Sequence, residues 1–213
     1  MPDDRARPRN TPHRGTIGGV RLGIAHHLGW AVAVTASADH EVADRRRIDL
    51  IEAGLPVAPI HHEGGAHPLH QRGKPLDDRA LAALVADVRA SVARAASAAL
   101  DELATALPGP IVSMSLRSWP ADFPQDIAAQ RRVPYESQAD SVMYRQVLRE
   151  LARARGWEVH VYDAKAVEDE AAGILAERAD EVLHGPRTTL GPPWSKDHRM
   201  ALAATVVAGH PSG

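Results

Sequence analysis

Val20-Arg21-Leu22-Gly23-Ile24-Ala25-His26-His27-Leu28-Gly29-Trp30-Ala31-Val32-Ala33-Val34 decides how the rest of the chain is read. Leu22 and Ile24, then Trp30, Val32 and Val34, recur at period two, which is the spacing of a strand that buries one face. The Ala25–Gly29 segment interrupts the pattern, so the stretch is a strand, a tight turn and a second strand. Ile48, Leu50 and Val42 predict a third strand, with Asp39–Glu41 as the intervening turn. A three-strand meander therefore opens the fold.

Downstream the period changes. Gly54 to Pro75 is rich in Pro, Gly and His and has no periodicity, so it reads as a long loop, the kind that is functional or mobile. Asp77 is placed to cap a helix in which Leu81, Leu84, Val85, Val88, Val92, Leu100, Leu103 and Leu107 form one stripe, stopped by Pro108 and Gly109. Ile111–Leu116 is a short apolar strand. Ser137 and Asp140 read as a capping box opening a helix that Gly156 closes. Trp157, Val159 and Val161 alternate as another strand ending at Tyr162-Asp163-Ala164-Lys165. A helix over about 166–178, a Gly191-Pro192-Pro193 turn and a helix over about 196–208 complete the order βββαβαβαα. The fold class is α/β: a mixed sheet, antiparallel meander plus parallel strands, flanked by helices. Residues 1–19 read as a disordered tail and 20–210 as one domain.

Composition narrows the function classes. The chain has 213 residues, 44% hydrophobic and 24% charged, the balance of an ordinary globular protein. Its 25 basic and 27 acidic side chains give a formal charge of −2, so no overall positive field announces nucleic-acid binding. Cysteine is absent, which removes disulfide and thiolate chemistry and leaves His, Asp and Glu as the metal ligands. No stretch approaches the roughly 20 apolar residues that span a bilayer, and the first nineteen residues hold no apolar core of a signal peptide. The expected location is the cytoplasm, away from the membrane.

Three segments carry a resemblance. They are Leu22-Gly23-Ile24-Ala25 leading to Gly29-Trp30-Ala31-Val32, the helix–strand–lysine unit from Ser137 to Lys165, and Lys196-Asp197-His198-Arg199-Met200-Ala201-Leu202-Ala203. With the element order, they resemble the ribonuclease H-like superfamily and, within it, the RuvC-type Holliday-junction resolvases. The resemblance implies phosphodiester cleavage by two metal ions, held by acids from the first strand, the fourth strand and the last helix. The first-strand acid falls at Ala25, the fourth-strand acid near Ser115, and the two last-helix positions at Asp197 and Met200. Only Asp197 is a carboxylate. One carboxylate cannot hold two Mg²⁺ ions, which take oxygen ligands, so the expectation is a degenerate resolvase-like domain without two-metal nuclease activity, acting as a nucleic-acid or protein-binding module.

The residue types leave other readings open. His26 and His27, with Asp197, could hold a substitute divalent ion, Mn²⁺ or Zn²⁺ rather than Mg²⁺; the plainer reading makes both histidines turn residues. Asp197, Asp163 and His198 are the candidate catalytic groups of such a relocated His/Asp phosphoesterase. Asp163 is equally placed to cap the helix that follows it. Lys165, Lys196 and Arg199 are candidate nucleic-acid contacts, Lys165 because the resembled nucleases carry a lysine there near nucleic acid. His61, His62, Glu63, His67 and His70 concentrate metal-binding side chains in the long loop without matching a ligand motif. Trp119 and Trp194 read as core lids. A third reading makes the chain a structural homodimer paired through the Ala-rich 77–107 helix.

Overall fold

The computed structural model describes residues 18–65 and 73–210. The opening alternation forms β1 (Val20–His26) and β2 (Trp30–Ala36), antiparallel, with Gly23 opposite Val34 and Ala25 opposite Val32. β3 (Val42–Asp49) pairs antiparallel with β2. β4 (Ile111–Arg117) joins the other side of β1 in parallel, and β5 (Glu158–Tyr162) joins β4 in parallel. The sheet is five-stranded, in the order β3-β2-β1-β4-β5. The expected α/β class and the mixed meander-plus-parallel sheet are therefore present.

Alternation divides the side chains between two layers. Leu22, Ile24, Met114 and Leu116 point toward α1 (Asp78–Ala106) and α3 (Glu136–Ala154), where they meet Val88, Val92, Leu100, Met143 and Leu148. Ala25, Val32 and Val34 point the other way, toward α4 (Val167–Leu175), α5 (Ala179–His184) and α7 (Lys196–Ala208). Two short helices, α2 (Ile127–Gln130) and α6 (Pro186–Thr189), lie in the connections. Asp77 caps α1, its side chain accepting the Ala80 N–H at 2.7 Å. Leu81, Val88, Val92, Leu100 and Leu103 of the expected α1 stripe are buried within this chain's own core. Trp194 is buried as well, its indole N–H donating to the Leu183 carbonyl at 2.8 Å.

α7 reaches the sheet through a close approach. A Cβ on Gly23 would lie 1.9 Å from the Ala201 carbonyl oxygen, a backbone atom that cannot move alone. Gly23→Ala should push α7 off β1 and lower stability by about 2–3 kcal/mol. Chemical denaturation measures the loss.

The sequence expectations fail in three places. Ser137 and Asp140 do not form a capping box: α3 already begins at Glu136, and Asp140 is 3% exposed inside it. The long loop is not wholly irregular, since Ile60–Gly64 forms a π-helical turn. The helix expected over about 166–178 breaks at Ala176, where φ is +51°, and continues as a 3₁₀ turn (Ala176–Arg178) and α5. No glycine or proline marks that break. The 1–19 tail expectation falls outside the described residues up to position 17.

The first two failures share a cause. Asp140 caps the π-helical turn instead of its own helix, accepting the Ile60 N–H at 3.0 Å and the His61 N–H at 2.9 Å. Glu136, one turn earlier, lies 2.9 Å from His61 Nδ1, and Tyr144, one turn later, donates its hydroxyl to the Val57 carbonyl at 3.0 Å. Arg131 adds a bond to the Gly64 carbonyl at 2.8 Å. A stripe at i, i+4 and i+8 of α3 thus clamps the loop. Burial pushes the Asp140 carboxyl up to about 6, against the two backbone N–H bonds that favour its charged form.

Candidate functional site

The parallel strands β1, β4 and β5 end together, where open α/β sheets commonly place their functional groups. β1 delivers Ala25 and His26 and the turn delivers His27. Gly29 lets the chain reverse there, with φ +84°. β4 delivers Arg117, β5 delivers Tyr162 and, just beyond it, Lys165, and the first turn of α7 delivers Lys196, Asp197 and Met200. These groups line one open pocket of about 320 Å³.

In the parallel register Gly23 lies beside Ser115, the last pair of the β1–β4 ladder, and Arg117 closes β4 two residues further on. Ser115 is turned to α7 and donates to the Ala204 carbonyl at 3.1 Å. Arg117 and Ala25 line the same pocket.

His27 and Asp197 come together: Nε2 lies 3.0 Å from Oδ2. The imidazole stacks on Trp30 with ring centroids 4.1 Å apart and planes 10° from parallel, and Arg47 sits 4.3 Å from the same indole. His26, at the pocket's inner edge, is hydrogen-bonded to the Ser141 carbonyl on α3. Desolvation, then the charges of Arg145 and Arg117, pull its imidazole down to about 3, so it is neutral at physiological pH. Arg145 is buried behind it and lowered to about 10 by burial and then by Arg117, which leaves it charged at neutral pH. Tyr162 reaches across β4 to donate its hydroxyl to the Ile24 carbonyl at 2.8 Å.

The other predicted site residues are elsewhere. His198 turns back on its own helix, with Nδ1 2.8 Å from Ser195 Oγ and 3.2 Å from the Ser195 nitrogen, completing a capping box. Asp163 accepts the Lys165 backbone N–H at 2.9 Å, and its carbonyl accepts from Ala166 and Val167 at the start of α4. Arg199 pairs with Glu168 at 3.2 Å and ties α7 to α4. Of the three candidate catalytic groups, only Asp197 lines the pocket. Lys165 and Lys196 also line it.

No family model matches the chain, and no curated protein is similar to it.

The donor set does not fit a pair of magnesium ions. One carboxylate lines the pocket, against Arg117, Lys165 and Lys196. Among the described residues no three His, Asp or Glu side chains converge to hold a metal ion. His61 and Glu136 meet in the loop clamp, whereas His67 and His70 lie outside the described residues. Among the described residues, no helix is long and apolar enough to cross a membrane.

Sequence reasoning missed Arg117, Trp30 and Arg47. Each was readable as a strand residue, but their place at the site depends on which strands are neighbours and in what register.

Proposed function

We propose that this chain is a ribonuclease H-like domain of the RuvC-type resolvase branch that engages nucleic acid without cleaving it by two-metal chemistry. The strand order, with a last helix that begins at the ends of the first and fourth strands and packs along their face, supports the branch. The absence of cleavage is carried by one observation, Arg117 sharing the pocket with Ala25 where the resembled enzymes need acids. Mg²⁺ requires several oxygen ligands, and two ions about 4 Å apart require carboxylates bridging and flanking them. A single carboxylate facing three cations supplies neither.

A relocated metal site keeps only His27 and Asp197 in mutual contact, because His26 is bonded to α3 and His198 caps α7. Two ligands hold a transition metal weakly compared with the three or four of built sites. The geometry therefore favours binding over hydrolysis.

Junction, duplex and single-stranded substrates incubated with Mg²⁺ or Mn²⁺ should show no cleavage above the level of an Asp197→Ala preparation. Metal-dependent cleavage that disappears in Asp197→Ala would overturn the proposal.

A further inference from the structure

We infer that the pocket at the ends of β1, β4 and β5 is a phosphate-binding site, in which Arg117, Lys165 and Lys196 hold the phosphate group of a nucleic-acid strand. The inference rests on the reading of the chain as a nucleic-acid-binding domain and names the chemistry of its site.

Most arginines among the described residues are engaged. Arg46 pairs with Asp44, Arg94 with Glu52, Arg131 with Asp78, Arg155 with Asp101 and Arg199 with Glu168. Arg45 is held by the carbonyls of Leu190, Gly191 and Pro193. The three pocket cations differ. Their side chains are exposed, line one concavity, and make no hydrogen bond, ion pair or ring contact among the described residues. Like charges gathered without partners repel one another, and the arrangement is relieved when an anion enters.

The surroundings raise the potential further. Arg145 stands behind the pocket as a buried cation, and the neutral His26 ring beside it adds no charge of its own. α7 begins at the pocket rim, so its N-terminal dipole adds positive potential there. Asp197 is the one opposing charge lining the pocket, and its Oδ2 faces His27. Arginine offers a phosphate two parallel N–H donors and lysine a compact point charge, a combination suited to a tetrahedral oxyanion.

The test is a binding series on the whole chain. Labelled single strand, duplex and four-way junction are titrated at several salt concentrations, with inorganic pyrophosphate and 5′-AMP as small-phosphate probes. The comparison is between Arg117→Glu/Lys165→Glu/Lys196→Glu and a control, Arg79→Glu/Arg132→Glu/Arg187→Glu, which alters three exposed cations away from the pocket by the same charge. All six positions are exposed, and near-ultraviolet circular dichroism verifies that both proteins are folded.

The pocket variant should lose at least about tenfold in affinity for one strand form. Its salt slope should fall by about 3, one for each phosphate-neutralising cation, with the control close to wild type. Asp197→Asn should tighten binding about two- to fivefold, since it removes the opposing charge, whereas a metal-ligand role would weaken it. Strand binding weakened equally by the two triple variants would overturn the inference while leaving the nucleic-acid reading intact. Pyrophosphate or 5′-AMP binding lost only in the pocket variant, with no strand bound, would overturn the strand as the source of the phosphate, and with it the nucleic-acid reading.

Discussion

Asp140→Ala is expected to lower stability by about 3 kcal/mol near neutral pH, because it leaves the buried Ile60 and His61 N–H groups without an acceptor. The loss is local in origin. Hydrogen exchange should rise first over 57–65, the segment that the α3 stripe holds, and later over the sheet. Ile60 is fully buried against Phe123, Ala139 and Val142, so release of the turn also opens the small core behind it. Asp140→Asn should cost less, since its amide oxygen still accepts one N–H while its NH₂ faces the other. Equal, small losses in the two variants would show that the clamp does not hold the loop.

His26→Leu is expected to change the response to acid more than the stability at pH 7. In the folded protein His26 protonates only near pH 3, against an ordinary value of 6.5. The folded value is depressed, so its contribution is complete above about pH 6.5 and is lost as pH falls toward 3. The full effect is about 5 kcal/mol. Asp140 acts in the opposite sense. Its folded value of about 6 lies above 3.8, so its stabilisation is complete below 3.8 and is lost as pH rises through 6, a change of about 3 kcal/mol.

The two groups therefore nearly cancel between pH 6.5 and 4. Wild-type stability should stay almost level across that window as far as they are concerned. His26→Leu should become more stable relative to wild type on acidification, and Asp140→Asn less stable. At neutral pH His26→Leu should cost little, because Arg145 Nε still donates to the Ser141 carbonyl at 3.0 Å. Urea titrations at pH 7 and 4.5 measure all three proteins. Parallel pH profiles would contradict the opposing roles of His26 and Asp140.

What the sequence disclosed follows from the range of its signals. Leu22, Ile24, Val32 and Val34 announce strands because period two is a local property, and Asp77 announces a helix start because its cap lies three residues away. Gly156 closes α3 with φ +73°, again from local chemistry. Asp140 misleads for the same reason: its spacing from Ser137 mimics a local cap, while its partners lie 80 and 79 residues back. Arg117 lies just past the apolar run Ile111–Leu116, and only the folded sheet brings it into one pocket with Ala25. His198 looked like a site residue because it neighbours Asp197, yet on a helix consecutive residues face different ways, and it caps the helix instead.

The absence of acids beside Ala25 can be read directly by counting bound ions. Metal-free protein titrated with Mn²⁺ and followed by electron paramagnetic resonance should show no pair of coupled ions and no binding that Asp197→Ala removes. Two mutually coupled Mn²⁺ ions per chain, lost on that substitution, would contradict the account.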